Sequence, residues 1–198
     1  MKLPDAVHRA MRQVIGLLAL VSVVMLLPAQ APAQPAARLP NLELPQQLGG
    51  LDFRRVIEFP DPRLGVSANY ARPPLFADIY FYDLGQGGIT DGEAHPVVVE
   101  AYTQAKREIV VFSDRRGVGA ELVREDVLDM PLGDERHVRF LRAVYQIDSQ
   151  SPYLSLLLVT GRLGKVVKLR ISLLPGATQE DAAGVEPFVM AVSQLIAR

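Results

Sequence analysis

The chain predicts an α+β fold, a mostly antiparallel sheet of about six to seven strands flanked by two helices. Three observations carry that expectation. Seven segments of strand-like alternation are separated by Gly- and Pro-rich turn signals. Two segments instead repeat their apolar residues at helical spacing. The last two strands are joined only by Gly161-Arg162-Leu163-Gly164, which is too short for a parallel crossover and predicts a hairpin.

Each element has its own justification. Residues 53–59 are rich in large side chains and read as a first strand. Asp61-Pro62-Arg63-Leu64-Gly65 has turn chemistry, because Pro62 presets φ and Gly65 relieves a backbone constraint. Residues 66–71 and 76–82 follow as strands, the latter with Phe76, Asp78, Tyr80 and Tyr82 on one face and Ala77, Ile79 and Phe81 on the other. Residues 96–112 form the first helix, opened by Pro96, whose missing N–H costs nothing there. Val98, Tyr102, Ala105, Ile109 and Phe112 make its core stripe, with Glu100, Gln104, Lys106, Arg107 and Glu108 outside. Strands around residues 120–127, 136–147, 153–160 and 165–174 come next. Thr178-Gln179-Glu180-Asp181 opens the second helix, with a capping hydroxyl and acidic residues at its positive end. Phe188, Val189, Val192, Leu195 and Ile196 form its buried stripe, and Pro187 predicts a kink or restart at Glu186-Pro187.

The beginning of the chain reads as an export signal. Lys2, Arg9 and Arg12 precede an apolar run of 14 residues, 14–27, and Ala31-Pro32-Ala33 fits small-x-small cleavage. A spanning helix needs roughly 20 residues, so cleavage after Ala33 is favoured over retention as an anchor. The expected organisation is a signal peptide over 1–33, a Pro/Ala-rich tether over 34–48, and a single α+β domain over 49–198. That predicts a periplasmic or secreted protein with no transmembrane segment once the leader is gone.

Composition narrows the function. The leader holds three of the 21 Lys/Arg and one of the 22 Asp/Glu, leaving 18 basic against 21 acidic residues. That balance gives no concentrated basic face for nucleic acid. The chain has no cysteine, which removes disulfides, thiolate nucleophiles and thiolate metal sites. Ser67, Ser113, Ser151 and Ser155 lie in no G-x-S-x-G elbow, and only His95 and His137 follow the leader, so a Ser-His-Asp hydrolase is not expected. Gly117-Val118-Gly119 opens no helix after a strand, so no dinucleotide or other cofactor is expected.

The hairpin around Asp61-Pro62-Arg63-Leu64-Gly65, the strand Lys165-Val166-Val167-Lys168-Leu169-Arg170 and the final helix stand in a telling order. Strand pair, helix, antiparallel meander and carboxy-terminal helix together resemble the PsbP-like fold over residues 51–198. That fold occurs in an extrinsic subunit of the photosynthetic oxygen-evolving complex and in bacterial exported proteins. The resemblance implies an α/β/α sandwich and a noncatalytic accessory or binding role, and it transfers no site residue.

Four sets of residues are candidates for chemistry. Asp91, Glu93 and His95 alternate two carboxylates with an imidazole and could hold a cation, or could simply support the start of the helix at Pro96. Arg115-Arg116 could grip phosphate, or form a solvated helix-to-strand loop. Tyr80, Tyr82, Tyr102 and Tyr145 could line a sugar-binding surface, although Tyr102 sits on the core stripe and the chain lacks tryptophan. Finally, basic residues alternate on two strands: Arg136, His137, Arg139 and Arg142 on one, Lys165, Lys168 and Arg170 on another. If those strands are neighbours, one sheet face could be positive and Arg139, Lys168 and Arg170 could bind an anion; otherwise Glu121, Glu125 and Asp126 are available as partners.

The preferred expectation is an exported, noncatalytic accessory or adaptor protein of the bacterial cell envelope, binding an envelope protein or an anionic ligand. One alternative is a metal- or carboxylate-dependent enzyme with a site near Asp91, Glu93 and His95. Another is a carrier of a small apolar ligand.

Overall fold

A computed structural model describes residues 38–39 and 42–198. The expected leader and the part of the expected tether at residues 34–37 and 40–41 lie outside the described residues. Two short strands, β1 (Arg38–Leu39) and β2 (Leu42–Glu43), pair with each other. The remaining strands form one sheet: β3 (Gln47–Leu48), β4 (Leu51–Glu58), β5 (Val66–Arg72), β6 (Leu75–Tyr82), β7 (Gly119–Gly133), β8 (Arg136–Asp148), β9 (Tyr153–Arg162) and β10 (Lys165–Leu173). The helices are α1 (Pro96–Arg115), the one-turn α2 (Gln179–Ala183) and α3 (Val185–Ile196).

The main sheet has eight strands in the order β3-β4-β5-β6-β10-β9-β8-β7. Every pairing is antiparallel. The expected six to seven strands fall short because β3 is only two residues long, too brief for any periodic signal. Two meanders meet at the β6–β10 pair. The chain leaves β6 at the middle of the sheet, runs through α1 to the far edge, and returns through β7, β8 and β9. The turns suit this path: Leu163 and Gly164 both take positive φ, as do Asp134 and Glu135, matching the twist of tight hairpins.

Period-2 alternation gives each strand two faces, and each face has its own core. Ala77, Ile79, Phe81, Val167, Leu169 and Ile171 pack against Phe188, Val189, Val192, Leu195 and Ile196 of α3. Ala143, Tyr145, Leu157, Val159 and Val166 on the opposite face pack against Val98, Ala101, Tyr102, Ala105 and Ile109 of α1. The expected stripe of α1 holds except for Phe112, which is 57% exposed.

The second helical segment breaks two residues earlier than Glu186-Pro187, at Gly184, which caps the end of α2 and the start of α3. Thr178 and Asp181 form a reciprocal capping box at its start. Residues 42–48 do not form a free tether. Leu42, Leu44 and Leu48 are buried against the α3-side core, and the Tyr70 hydroxyl donates to the Pro45 carbonyl at 2.9 Å. Pro45 suits an extended path here, and the leucines on either side of it still find the core. Among the described residues no helix is long and apolar enough to cross a membrane.

Candidate functional site

Because α1 crosses toward β7, it covers only part of its sheet face. A groove remains between α1 and the strands around β6. Its first compartment, about 780 Å³, is lined by Phe59, Leu64, Tyr80, Tyr82 and Leu84 with Lys168 among them. The second, about 800 Å³, is lined by Arg170, Asp78, Tyr153, Ser155 and the arginines toward the end of α1. Tyr80, Gln104, Arg107 and Glu108 line both, so the compartments adjoin.

Antiparallel register builds the floor as transverse rows. Arg55, Asn69, Asp78 and Arg170 stand opposite one another on β4, β5, β6 and β10. Within that row Arg55 Nε donates to Asn69 Oδ1 at 2.8 Å, and Asn69 Nδ2 donates to Asp78 Oδ1 at 2.6 Å. The neighbouring row places Ile57, Ser67, Tyr80 and Lys168 side by side. Lys168 Nζ lies 4.5 Å from the Tyr80 ring centroid and 5.5 Å from that of Tyr82. Phe59 stacks on Tyr80 at 6.5 Å between centroids, extending the aromatic wall.

The electrostatics of this floor are unusual. Lys168 and Arg170 are half-buried, yet neither forms a salt bridge among the described residues. Arg170 donates through Nη2 to Ser155 Oγ at 3.1 Å, while its buried Nε has no hydrogen-bond partner. Burial pulls the Lys168 ammonium below its ordinary value, with Arg170 adding to the effect and Glu108 and Asp78 opposing it. Burial likewise lowers Arg170 and raises the Asp78 carboxyl, the latter against the hydrogen bond from Asn69. The Tyr82 hydroxyl is pushed up by burial and held neutral. Two half-buried cations that Asp78 and Glu108 offset only from a distance, with no salt bridge among the described residues, are costly, and such costs concentrate at binding sites.

Arg139, Arg142 and Lys165 on these two strands hold carboxylates. β8 and β10 are not neighbours, because β9 lies between them. Arg139 is therefore apart from Lys168 and Arg170, and it pairs with Glu93 at 2.9 Å and weakly with Asp129 at 3.9 Å. Arg142 takes Asp126 at 2.6 Å, and Lys165 takes Asp83 at 2.8 Å. The arginine beside it holds Asp126 down to about 2.

Asp91, Glu93 and His95 do not converge. Asp91 pairs with Arg162, Glu93 with Arg139, and His95 caps α1 by accepting from the Val97 amide at 3.3 Å. The start of α1 is thus held by the imidazole, and no acidic residue occupies its first turn. Among the described residues no group of three His, Asp or Glu is placed to hold a metal ion.

Of the four candidate tyrosines, Tyr80 and Tyr82 line the groove, while Tyr102 of α1 and Tyr145 of β8 lie in the core between helix and sheet. The Tyr102 hydroxyl donates to the Arg142 carbonyl at 2.9 Å. Gln104, Arg107 and Glu108, expected on the solvated side of α1, form a groove wall. Arg55, Asn69 and Asp78 were not singled out from the sequence. Their signal is the alternation of polar side chains along β4, β5 and β6.

In comparisons with known proteins, no family model, no curated protein and no solved structure matches this chain.

Proposed function

We propose that the chain is an exported, noncatalytic binding protein of the bacterial cell envelope, of the PsbP-like kind. Its groove holds an anionic ligand with an apolar body, so that the anion-binding and small-ligand-carrier expectations become one. The observation that carries this is the pair Lys168 and Arg170, half-buried on the groove floor and, among the described residues, in no salt bridge. An incoming anion supplies the missing charge, and Phe59, Tyr80 and Tyr82 supply flat apolar area for the rest of the molecule. Export rests on the charged start, the short apolar run and the alanine-rich exit.

The test is calorimetric titration of the purified protein with decanoate, alongside decanol as the uncharged control. Decanoate should bind and decanol should bind more weakly. Lys168→Met should weaken decanoate about tenfold or more, the scale of one lost charge-assisted hydrogen bond. Equal binding of decanoate to both proteins would refute the reading. Export is checked separately by sequencing the amino terminus of the native protein, which should begin near Gln34.

A metal-dependent enzyme near Asp91 finds no favouring observation, because its three candidate ligands are each engaged elsewhere.

A further inference from the structure

We propose that the second compartment of the groove is a phosphate-monoester site, with Arg170 on its floor and Arg107, Arg115 and Arg116 on its rim. This rests on the reading of the groove as an anion site and names the head group it takes. The apolar body of the ligand then lies in the first compartment, over Tyr80 and Tyr82.

Charge is the first argument. Four arginines line the second compartment against two carboxylates, Asp78 and Glu108. None of the four forms a salt bridge among the described residues. Elsewhere Arg124, Arg139, Arg142 and Arg162 each hold a carboxylate. The local excess is two positive charges, which a dianion balances and a monocarboxylate does not.

Donor geometry is the second argument. A guanidinium presents a planar fork of N–H groups that matches phosphate oxygens in pairs. Arg170 lines the floor, its guanidinium held by Ser155 Oγ through Nη2 while its Nε is buried without a partner. Arg116 lies over the Phe112 ring at 4.6 Å, a contact that orders it at the rim and gives that exposed phenylalanine a purpose. Arg115 occupies the last turn of α1 beside it.

Contiguity is the third argument. Tyr80 and Arg107 border both compartments, so one molecule can place its head against the arginines and its tail against the aromatic wall. A flat anionic membrane would meet the rim arginines but not Arg170, which is half-buried on the floor. The occupant is therefore a discrete molecule rather than a bilayer surface.

The experiment compares decyl phosphate, decanoate and inorganic phosphate by calorimetry at pH 7.5, where a phosphate monoester is mostly dianionic. The wild type and an Arg115→Gln/Arg116→Gln double variant are used, because both residues are exposed and their loss leaves the cores intact. Decyl phosphate should bind the wild type about tenfold tighter than decanoate. The double variant should lose that advantage, its affinity for decyl phosphate falling further than its affinity for decanoate. Equal binding of the two probes to the wild type, or an advantage that survives in the variant, would overturn the proposal and leave the groove reading standing. Inorganic phosphate binding as tightly as decyl phosphate would also overturn it, because the first compartment would then contribute nothing. Sedimentation with phosphatidate-containing vesicles, without binding of soluble decyl phosphate, would overturn it in favour of a membrane surface. Failure of decyl phosphate and decanoate alike would take the groove reading down as well.

Discussion

Replacing Lys168 with Met should make the protein more stable and a poorer binder at once. The ammonium lies in the groove floor with no salt bridge, and its local support is the faces of Tyr80 and Tyr82. Substituting well-packed apolar groups for buried charges is often stabilising by about 1–4 kcal/mol. The lost cation–π contact offsets about 0.5–1 kcal/mol of that. A net gain of about 1 kcal/mol is expected, which raises Tm by about 2–4 °C for a domain of this size. The pH dependence gives a second signature. The folded pKa of Lys168 is depressed by burial, so the unfolded chain binds the extra proton between that value and the ordinary lysine value of about 10.4. Wild-type stability should therefore rise relative to the variant as pH increases through that window. The assay is urea unfolding of both proteins from pH 7 to 10, followed by tyrosine fluorescence. A variant less stable than wild type at pH 7, or a difference that does not shrink toward pH 10, refutes the claim that burying this charge costs more than its surroundings return.

Two further outcomes follow from the geometry. Gly65 has φ +61°, and an added Cβ would lie 1.9 Å from the Phe81 carbonyl oxygen, so Gly65→Ala should cost about 3 kcal/mol in urea unfolding and displace Leu64 from the groove wall. Asp126 is held down to about 2 by Arg142 and Arg124; the unfolded carboxyl takes up its proton near 3.9, so this contribution is present above that pH and fades as the medium is acidified toward 2. Asp126→Asn should flatten the acid limb of the stability profile in that interval by at most about 1 kcal/mol, because the pair is partly solvent-screened.

Much of the fold was legible because its periodicities are strong. The faces of β6 and β10 follow from alternation alone, and the helical stripe of α1 fails only at Phe112. Thr178 could be read as a cap from its residue type. What was not legible depends on which elements become neighbours. Lys168 and Arg170 were visible as a basic pair, but their burial follows from the path of α1 across the sheet. Gln104, Arg107 and Glu108 lie on a polar helix face, and a polar face beside a groove has the same composition as one in open water. Arg139 looked like the third member of a basic set, but β9 intervenes and Glu93, from the loop before α1, reaches it. Asp91 and His95 sit near one another in sequence, yet Arg162 draws one away while the other turns to the helix amides.

The alternation along β10 separates two tasks within nine consecutive residues. Val167, Leu169 and Ile171 anchor the scaffold on one side, while Lys168 and Arg170 present chemistry on the other. Exchanging only the second set would retune ligand preference with the foundation untouched. On the proposed reading, ligand preference could diversify by editing positions 168 and 170, and directed evolution could begin from a library confined to those two sites.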